Sequence, residues 1–217
     1  MTSDGAEHSV EIERKYDADD AVSLPDWLSL PGVAAIGPAE VRSLDARYLD
    51  TGDGALGRAA IALRRRAGGP DEGWHIKRAT PEGKREARWP LVAADSDDEL
   101  IVPPAVAAVL ASDPELAGVD TTAVSVIARI RNERTAYALR DGRGGLLAEF
   151  VDDRVIATDL RRDVETRWRE WELELGPAAP ADEAGRDALF AAADALVAAA
   201  GGSVSASASK LGRALGV

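Results

Sequence analysis

Residues 9–16 read SVEIERKY, and the two-residue period of a β-strand sorts their side chains onto two faces. One face carries the charged side chains of Glu11, Glu13 and Lys15. The other face carries Val10, Ile12 and Arg14. The segment therefore predicts a strand with one strongly charged face.

A late segment has the same pattern. Residues 166–175, TRWREWELEL, alternate strictly and place Glu170, Glu172 and Glu174 on one face. The opposite face carries Trp171, Leu173 and Leu175. We therefore expect a second strand with an acidic face, far along the chain from the first.

The middle of the chain has bases in the equivalent positions. Residues 59–66 (AAIALRRR) and 73–78 (GWHIKR) flank the loop AGGPDE, which predicts a hairpin. Arg64 and Arg66 share a face on its first strand, and His75 and Lys77 share a face on its second. Each of these strands thus carries charges of one sign on its polar face.

The rest of the chain predicts further hairpins and a few helices. We expect strands at 40–49, 84–91, 124–139 and 146–158, and helices at 25–30, 97–111 and 180–200, before a last short segment at 210–215. This makes roughly eight strands and three to five helices. No internal repeat or long linker interrupts the chain, so a single domain over residues 1–217 is expected.

The charged faces allow two interpretations. In an open antiparallel sheet they would face water, with the apolar faces on the core. Eight antiparallel strands can also close into a barrel, with the apolar faces outward under helices and the charges around a lumen. Such a lumen must have its charges satisfied, and a polyphosphate with divalent metals would do so.

Composition excludes several kinds of site. The 217 residues include no Cys and only two His, which removes disulfides, thiol nucleophiles and multi-histidine metal sites. A metal would have to be bound by carboxylates, which suits Mg²⁺, Mn²⁺ or Ca²⁺. The net charge of −12 argues against nucleic acid as a partner.

No run of 18 apolar residues predicts a membrane span, and the polar first residues do not resemble a secretory signal. A cytoplasmic protein that does not bind membranes is therefore expected.

The basic residues are unevenly placed. Residues 58–88 contain nine Arg or Lys and four Asp or Glu, although the whole chain is acidic. This predicts either an anion site or an arginine-rich surface exposed to solvent. Only four of the 26 cations are lysines, namely Lys15, Lys77, Lys84 and Lys210. In a chain that favours Arg, a lysine can mark a need for a compact point charge.

The ordered motifs resemble those of the CYTH superfamily, also called triphosphate tunnel metalloenzymes. The matching segments are Glu11-Ile12-Glu13-Arg14-Lys15 (ExExK), Tyr48-Leu49-Asp50-Thr51 (YxDT), Leu63-Arg64-Arg65-Arg66 (LRxR), Trp74-His75-Ile76-Lys77 (W/L-x-x-K), Arg85-Glu86 (RE), Arg134-Thr135-Ala136-Tyr137 (R-x-x-Y/W), Glu149 with Asp153 (ExxxD), Glu172-Leu173-Glu174 (ExE) and Ser209-Lys210-Leu211 (SK followed by L, Y or F). Together they span residues 10–215, and three of the four lysines fall on motif lysines.

The resemblance implies an α+β fold in which an eight-stranded antiparallel β-barrel forms a tunnel with helices packed outside. It implies Mg²⁺ or Mn²⁺ as cofactor, bound by Glu11, Glu13, Asp153, Glu172 and Glu174. It assigns triphosphate binding to Lys15, Arg64, Arg66, Lys77, Arg134 and Lys210. Glu13, Lys15, Lys77 and Glu86 are the expected catalytic residues, with Glu86 orienting a basic partner or a metal-bound water.

Several assignments have an alternative. Glu170 shares the face of Glu172 and Glu174, so the metal-binding pair on this strand can be shifted by two residues. Asp152 adjoins Asp153, but alternation from Glu149 favours Asp153. His75 shares the face of Lys77 and is a weaker candidate for phosphate contact. The five tryptophans are expected to pack in the core.

Three functions are compatible with this pattern. The first is metal-dependent hydrolysis of a triphosphate, with inorganic triphosphate ahead of thiamine triphosphate and nucleoside triphosphates as substrate. The second is an adenylyl cyclase that converts ATP to cyclic AMP. The third is a non-catalytic polyphosphate-binding module. Related tunnel domains are often fused to a helical CHAD domain, and none is expected in the seven residues that follow Lys210. The sequence does not indicate an oligomeric state.

Overall fold

The computed structural model describes residues 5–80, 83–91 and 100–217. The chain divides into two compact units. The first unit contains residues 1–11, 44–131 and 157–165, and the second contains residues 12–43, 132–156 and 166–217. The single domain expected over residues 1–217 stays a prediction.

Strands dominate the described residues. They are β1 (Glu7–Glu11), β2 (Glu13–Ala18), β3 (Ala35–Ile36), β4 (Glu40–Thr51), β5 (Ile61–Ala67), β6 (Gly73–Thr80), β7 (Gly83–Trp89), β8 (Val124–Arg140), β9 (Leu146–Asp159), β10 (Val164–Leu175) and β11 (Ser203–Val204). The α-helices are α1 (Ala55–Arg58), α2 (Pro104–Ala111), α3 (Glu183–Ala200) and α4 (Lys210–Leu215). Two 3-10 turns lie at Trp27–Ser29 and Pro114–Leu116. The helix expected at 97–111 is thus described as α2, and residues 97–99 lie outside the described residues.

The strands pair in the order β1-β7-β6-β5-β4-β8-β9-β10-β2-β11, with β3 beside β8. The pairs β1–β7, β2–β10, β5–β6 and β6–β7 are antiparallel, as expected. The strand count differs from the prediction, because the described residues form eleven strands rather than eight. Two of the additional strands, β3 and β11, have only two residues each, which is too short for an alternation signal.

The third additional strand comes from a break at Ile12. Residues 9–16 were expected to form one strand, but β1 ends at Glu11 and β2 begins at Glu13. The cause is a change of partner, because β1 pairs with β7 while β2 pairs with β10.

In the first unit, the predicted hairpin is confirmed as β5 and β6, which pair from Ile61↔Arg78 to Arg66↔Gly73. Strand β7 then pairs with β6. Their apolar face buries Leu63 and Trp74 against Val106 and Leu110 of α2. The first unit therefore has a core on the side of the sheet that faces away from the polar row Arg64, His75 and Lys77.

In the second unit, α3 packs on the apolar face of β2, β9 and β10. Phe190 and Val197 of α3 share a core with Tyr16, Phe150 and Trp171. Asp182 caps the helix by accepting from the backbone N–H of Gly185 at 2.8 Å. Glycine at 201, with φ at 98°, ends it in the left-handed conformation.

No helix in the described ranges combines the length and the apolar character that crossing a membrane requires.

Candidate functional site

Three buried carboxylates of the second unit lie together. Oxygen atoms of Asp153 on β9 and of Glu170 and Glu172 on β10 are all within 4.8 Å of one another. The residues are 0%, 4% and 7% exposed, respectively. We call this group the acidic cluster. Strand alternation brings Glu170 and Glu172 to one face, and the neighbouring β9 supplies Asp153.

The ammonium of Lys210 lies among these carboxylates. Its Nζ is 2.8 Å from Asp153 Oδ2, 2.6 Å from Glu170 Oε1 and 2.8 Å from Glu172 Oε1. Lys210 is the first residue of α4, which is capped by the hydroxyl of Ser209 accepting from the backbone N–H of Gly212 at 3.0 Å. The motif segment Ser209-Lys210 thus combines a helix cap with a charge directed at the acidic cluster.

Two more cations contact the acidic cluster. Arg134 on β8 donates to both oxygens of Asp153, at 2.8 and 2.7 Å, and to Glu172 Oε2 at 2.8 Å. Lys15 on β2 forms an ion pair with Glu172, which lies opposite it in the β2–β10 register. Lys15 Nζ is also 3.4 Å from Glu13 Oε2. The predicted residues Glu13, Lys15, Asp153, Arg134, Glu172 and Lys210 therefore lie in one connected network.

This network favours the ionised forms of Asp153 and Glu170. Burial alone would raise the pKa of Asp153, but Lys210 and Arg134 outweigh burial and hold it below its usual range. Burial likewise opposes ionisation of Glu170, and Lys210 and Lys15 lower its pKa. Burial would lower the pKa of Lys210, yet the facing Asp153 and Glu170 raise it. Both charge types are therefore retained at neutral pH.

The acidic cluster contains Glu170 in place of Glu174. The register places Glu170 opposite Asp17 and Glu174 opposite Glu13. Glu170 lies in the buried middle of β10, where Lys210 reaches it, whereas Glu174 lies near the end of the strand and is partly exposed. Of the two alternatives left open by alternation, the structure brings together the pair Glu170 and Glu172.

Asp152 and Glu149 have other partners. Asp152 accepts from Arg169 at 2.8 and 3.0 Å and from the indole of Trp171 at 3.1 Å. It therefore lies on the opposite face from Asp153, as alternation predicts. Glu149 accepts two hydrogen bonds from Arg42, both at 3.1 Å.

Trp168 was expected to pack in the core, but its indole N–H donates to Glu170 Oε2. Alternation along β10 does place Trp168 on the face of Glu170, and this signal was available in the sequence. The guanidinium of Arg213 lies 4.8 Å from the centre of the Trp168 ring. Trp168 is therefore a direct neighbour of the acidic cluster.

The first unit has a separate charged group around Glu86, which we call the Glu86 cluster. Glu86 on β7 lies opposite Lys77 on β6, and Arg64 on β5 lies opposite His75 on β6. Glu86 Oε1 is 2.6 Å from His75 Nδ1, 3.2 Å from Lys77 Nζ and 3.6 Å from Arg64. Lys77 also donates to both oxygens of Glu11, at 2.8 and 2.7 Å. The predicted residues Glu11, Arg64, Lys77 and Glu86 therefore lie together.

Burial and neighbouring charges shift the pKa values of His75 and Glu86 in this cluster. The ring of His75 is fully buried, and burial lowers its pKa to about 3. The hydrogen bond to Glu86 opposes that shift, while Arg64 and Arg66 add to it. Burial would raise the pKa of Glu86, but His75, Lys77 and Arg64 hold it well below the ordinary value. His75 is thus neutral and donates from Nδ1 to an ionised Glu86.

Arg66 contacts the loop that joins β5 to β6. It pairs with the carboxylate of Asp71 and donates to the Asp71 carbonyl oxygen at 3.2 Å. Asp71 lies in the loop between β5 and β6, so this contact closes the hairpin. Arg66 is 5% exposed, and its charge still acts on His75.

The acidic cluster suits a hard divalent cation. It offers carboxylate oxygens alone, the ligands that Mg²⁺ and Mn²⁺ prefer, and Arg134 orients one of them from the side. Glu13 is joined to the cluster through Lys15, whereas Glu11 contacts Lys77 in the first unit.

The chain has relatives in sequence among known proteins. No protein-family profile matches the sequence. Uncharacterized proteins from two strains of Mycobacterium tuberculosis are 37% identical over 177 residues, which cover 76% of this chain and 33% of theirs. The chain therefore spans about a third of the length of the curated relatives that it matches.

Solved structures resemble almost the whole chain. A candidate adenylate cyclase from Bacillus halodurans matches with a TM-score of 0.61 at 16% identity, over 95% of this chain and 97% of that one. A candidate adenylate cyclase from Vibrio parahaemolyticus has a TM-score of 0.53 at 13% identity, covering 96% and 99%. A candidate adenylyl cyclase from Hippeastrum, reported to have a dominant triphosphatase activity, has a TM-score of 0.53 at 16% identity, covering 95% of each chain. The chain shares its fold with these proteins.

Proposed function

We propose that this protein hydrolyses a triphosphate with the help of Mg²⁺ or Mn²⁺, and that inorganic triphosphate is its substrate. The observation that carries the proposal is the acidic cluster, in which three buried carboxylates lie within 4.8 Å of one another and are ringed by Lys15, Arg134 and Lys210. Carboxylates beside a concentration of cations match the opposite needs of a metal ion and a polyphosphate.

The residues divide between these two tasks. Asp153, Glu170 and Glu172 would hold the metal, with Glu170 in the place that the family resemblance gives to Glu174. Glu11 and Glu13 are the further ligands that the resemblance implies. When bound, the metal offsets charge on phosphate oxygens and favours attack by water. The triphosphate oxygens would be bound by the basic residues Lys15, Arg64, Arg66, Lys77, Arg134 and Lys210, which stabilise the charge that develops as the terminal P–O bond breaks.

Glu86 has a positioning role in this proposal. It contacts Lys77 and His75 and lies 3.6 Å from Arg64, so it holds these side chains in a fixed arrangement within a buried environment. The family resemblance assigns residues of the Glu86 cluster and of the acidic cluster to one reaction. Variants in either unit should therefore impair the same reaction.

The choice of inorganic triphosphate rests on the chemistry around the acidic cluster. Its carboxylates contact Lys15, Arg134, Lys210 and the indole N–H of Trp168, and the guanidinium of Arg213 lies over the Trp168 ring. These groups supply charge, which suits phosphate. The face of the Trp168 ring is occupied by the guanidinium of Arg213. A base-free polyphosphate fits this set better than a nucleotide does.

The experiment is a phosphate-release assay on inorganic triphosphate with Mg²⁺, with Mn²⁺ and with a chelator. Glu172→Gln should lower kcat by at least about 100-fold, as expected for loss of an electrostatic catalytic group. Glu165→Gln is the matched control, because Glu165 is exposed on the same strand and pairs with Arg131. Full activity in Glu172→Gln, or in the chelator, would contradict the proposal.

Adenylyl cyclase activity is the second candidate, and the likeness to candidate adenylate cyclases favours it. Incubation with ATP followed by chromatography separates the two functions, because a cyclase yields cyclic AMP and pyrophosphate while a triphosphatase yields ADP and phosphate or leaves ATP intact. Tight polyphosphate binding with no turnover of any triphosphate would instead indicate a binding module.

A further inference from the structure

The ammonium of Lys210 contacts all three members of the acidic cluster. Its Nζ lies 2.8, 2.6 and 2.8 Å from oxygens of Asp153, Glu170 and Glu172. Arg134 contacts Asp153 and Glu172, and Lys15 contacts Glu172. The ammonium of Lys210 therefore lies among the three carboxylates of the acidic cluster.

The ammonium uses carboxylate oxygens, the same kind of atom that a divalent metal would need. Lys210 contacts Asp153 Oδ2, Glu170 Oε1 and Glu172 Oε1, one oxygen from each carboxylate. A divalent ion bound by three carboxylates takes one oxygen from each at about 2.0–2.1 Å for Mg²⁺. An ammonium and a divalent cation cannot share that position, because both are positive and both require the same lone pairs.

We propose that Lys210 is a resident counterion of the acidic cluster, and that a divalent cation binds there only by displacing the ammonium. This inference rests on the proposed function, since it assumes a metal at the cluster. It adds that the free energy of metal binding contains the cost of removing Lys210 from its three partners. The displaced ammonium is then available to the phosphate of the substrate, so metal and anion should favour each other's binding.

The local structure permits this movement. Lys210 holds its charge on a flexible four-carbon stem, so the ammonium can leave the cluster while the backbone stays in place. Helix α4 is anchored independently of Lys210, by the Ser209 cap and by Arg213, which pairs with Asp17 and lies over Trp168. Displacement of the side chain therefore does not require the helix to unfold.

The test measures Mn²⁺ binding by calorimetry in the absence of any phosphate. Lys210→Met removes the competing ammonium and keeps the aliphatic stem, so it should bind Mn²⁺ at least about tenfold more tightly than the unmodified protein. Arg154→Met is the matched control, because it removes one positive charge from β9, where Arg154 is exposed and pairs with Asp20. This control should change the affinity by less than about threefold.

Equal or weaker Mn²⁺ binding by Lys210→Met would overturn the inference. So would a gain in Arg154→Met as large as the gain in Lys210→Met, because the effect would then reflect net charge alone. Tighter Mn²⁺ binding without hydrolysis of any triphosphate supports the displacement and counts against the proposed function. The two proposals are thus tested separately.

A second measurement uses the unmodified sequence, so it does not depend on the folding of Lys210→Met. The protein contains four lysines, Lys15, Lys77, Lys84 and Lys210, so carbon-13 labelling of the lysine ε-position gives four NMR signals. Substitution of Lys15, Lys77 and Lys84 by Arg, one at a time, assigns Lys210 by difference. Titration with Mg²⁺ should shift the Lys210 signal more than the other three. A signal that stays in place while Mg²⁺ binds would overturn the inference.

Discussion

His75 Nδ1 lies 2.6 Å from Oε1 of Glu86, and the imidazole ring is completely buried. Because the ring is neutral, its proton is on Nδ1 and is donated to the carboxylate. Among the described residues, Nε2 of His75 has no hydrogen-bond partner. His75 therefore fixes Glu86 at the cost of an imidazole that cannot be protonated easily in the folded protein.

The first prediction concerns the pH dependence of stability. The ordinary pKa of histidine is 6.5 and that of folded His75 is about 3, so the unfolded chain binds the extra proton between these values. The free energy of unfolding must therefore fall as the pH falls through this window. Between pH 7 and pH 5 the loss due to His75 amounts to about 2 kcal/mol.

Denaturant unfolding at pH 7 and pH 5 measures this effect. In His75→Gln, whose side-chain amide can still donate to Glu86, the loss of stability between the two pH values should be smaller by about 2 kcal/mol. His8→Gln removes the second histidine, which is exposed, and serves as the control for loss of a histidine. An unchanged pH dependence in His75→Gln would show that buried His75 does not set it.

The second prediction concerns Glu86 itself. In Glu86→Gln the carboxylate becomes a neutral amide, so Lys77 and Arg64 lose a charge that helps to hold them. Under the proposed function, kcat/KM for inorganic triphosphate should fall by about tenfold or more, because misplaced cations stabilise the transition state less well. Steady-state kinetics measures the change. Glu115→Gln, an exposed partner of Arg78, is the control and should keep its kcat/KM.

Much of the fold could be predicted from alternation. Alternation predicted that Arg64 shares a face with Arg66 and that His75 shares a face with Lys77, and the pairs Arg64↔His75 and Arg66↔Gly73 in the β5–β6 register agree with it. The break at Ile12 could not be predicted, because the alternation continues through residues 9–16. A change of strand partner is decided by contacts with β7 and β10, which lie far away in the sequence.

Alternation likewise predicted some features of the candidate site and left others open. Alternation placed Asp153 opposite to Asp152 and put Glu170 on the face of Glu172, but it could not choose between Glu170 and Glu174. That choice depends on where Lys210 enters, and α4 begins 38 residues after Glu172. Contacts between elements so far apart follow from tertiary packing, which strand periodicity does not encode.

The third prediction concerns Asp50 in the segment that resembles the YxDT motif. Its carboxylate accepts from the backbone N–H groups of Thr51, Leu56 and Gly57 at 2.7, 2.9 and 3.1 Å. Asp50 is buried, so Asp50→Ala leaves these donors without a partner away from water. The free energy of unfolding should fall by about 2–3 kcal/mol. Chemical denaturation measures it, and exposed Asp120, which also caps a turn, supplies the milder control Asp120→Ala.

The fourth prediction concerns the attachment of α3. Asp194 accepts from Tyr16 at 2.9 Å and from Arg14 at 2.8 Å, and thereby joins α3 to β2. Burial and the facing Asp194 raise the pKa of Tyr16 well above its usual range, so the phenol remains a donor. In Asp194→Ala a buried hydroxyl and a partly buried guanidinium lose their acceptor, which should cost about 2 kcal/mol of unfolding free energy.

Chemical denaturation of Asp194→Ala and of Asp187→Ala compares two acids of the same helix. Asp187 is exposed, so its removal should change stability by less than about 0.5 kcal/mol. Equal losses in the two variants would mean that the contact with Tyr16 and Arg14 contributes nothing to the attachment of α3.

The last prediction distinguishes Glu170 from Glu174 as a metal ligand. Both lie on the same face of β10, but only Glu170 belongs to the acidic cluster within the part of the chain that the structure describes. Glu170→Gln should therefore weaken Mn²⁺ binding by about tenfold or more, because one anionic ligand is lost. Glu174→Gln removes the same charge from the same strand and should weaken it by less than about threefold, since at this exposure the loss acts mainly through screened electrostatics. Calorimetric titration with Mn²⁺ alone measures both variants. If Glu174→Gln has the larger effect, the metal is held toward the Glu13 end of β2, since Glu174 lies opposite Glu13 in the register.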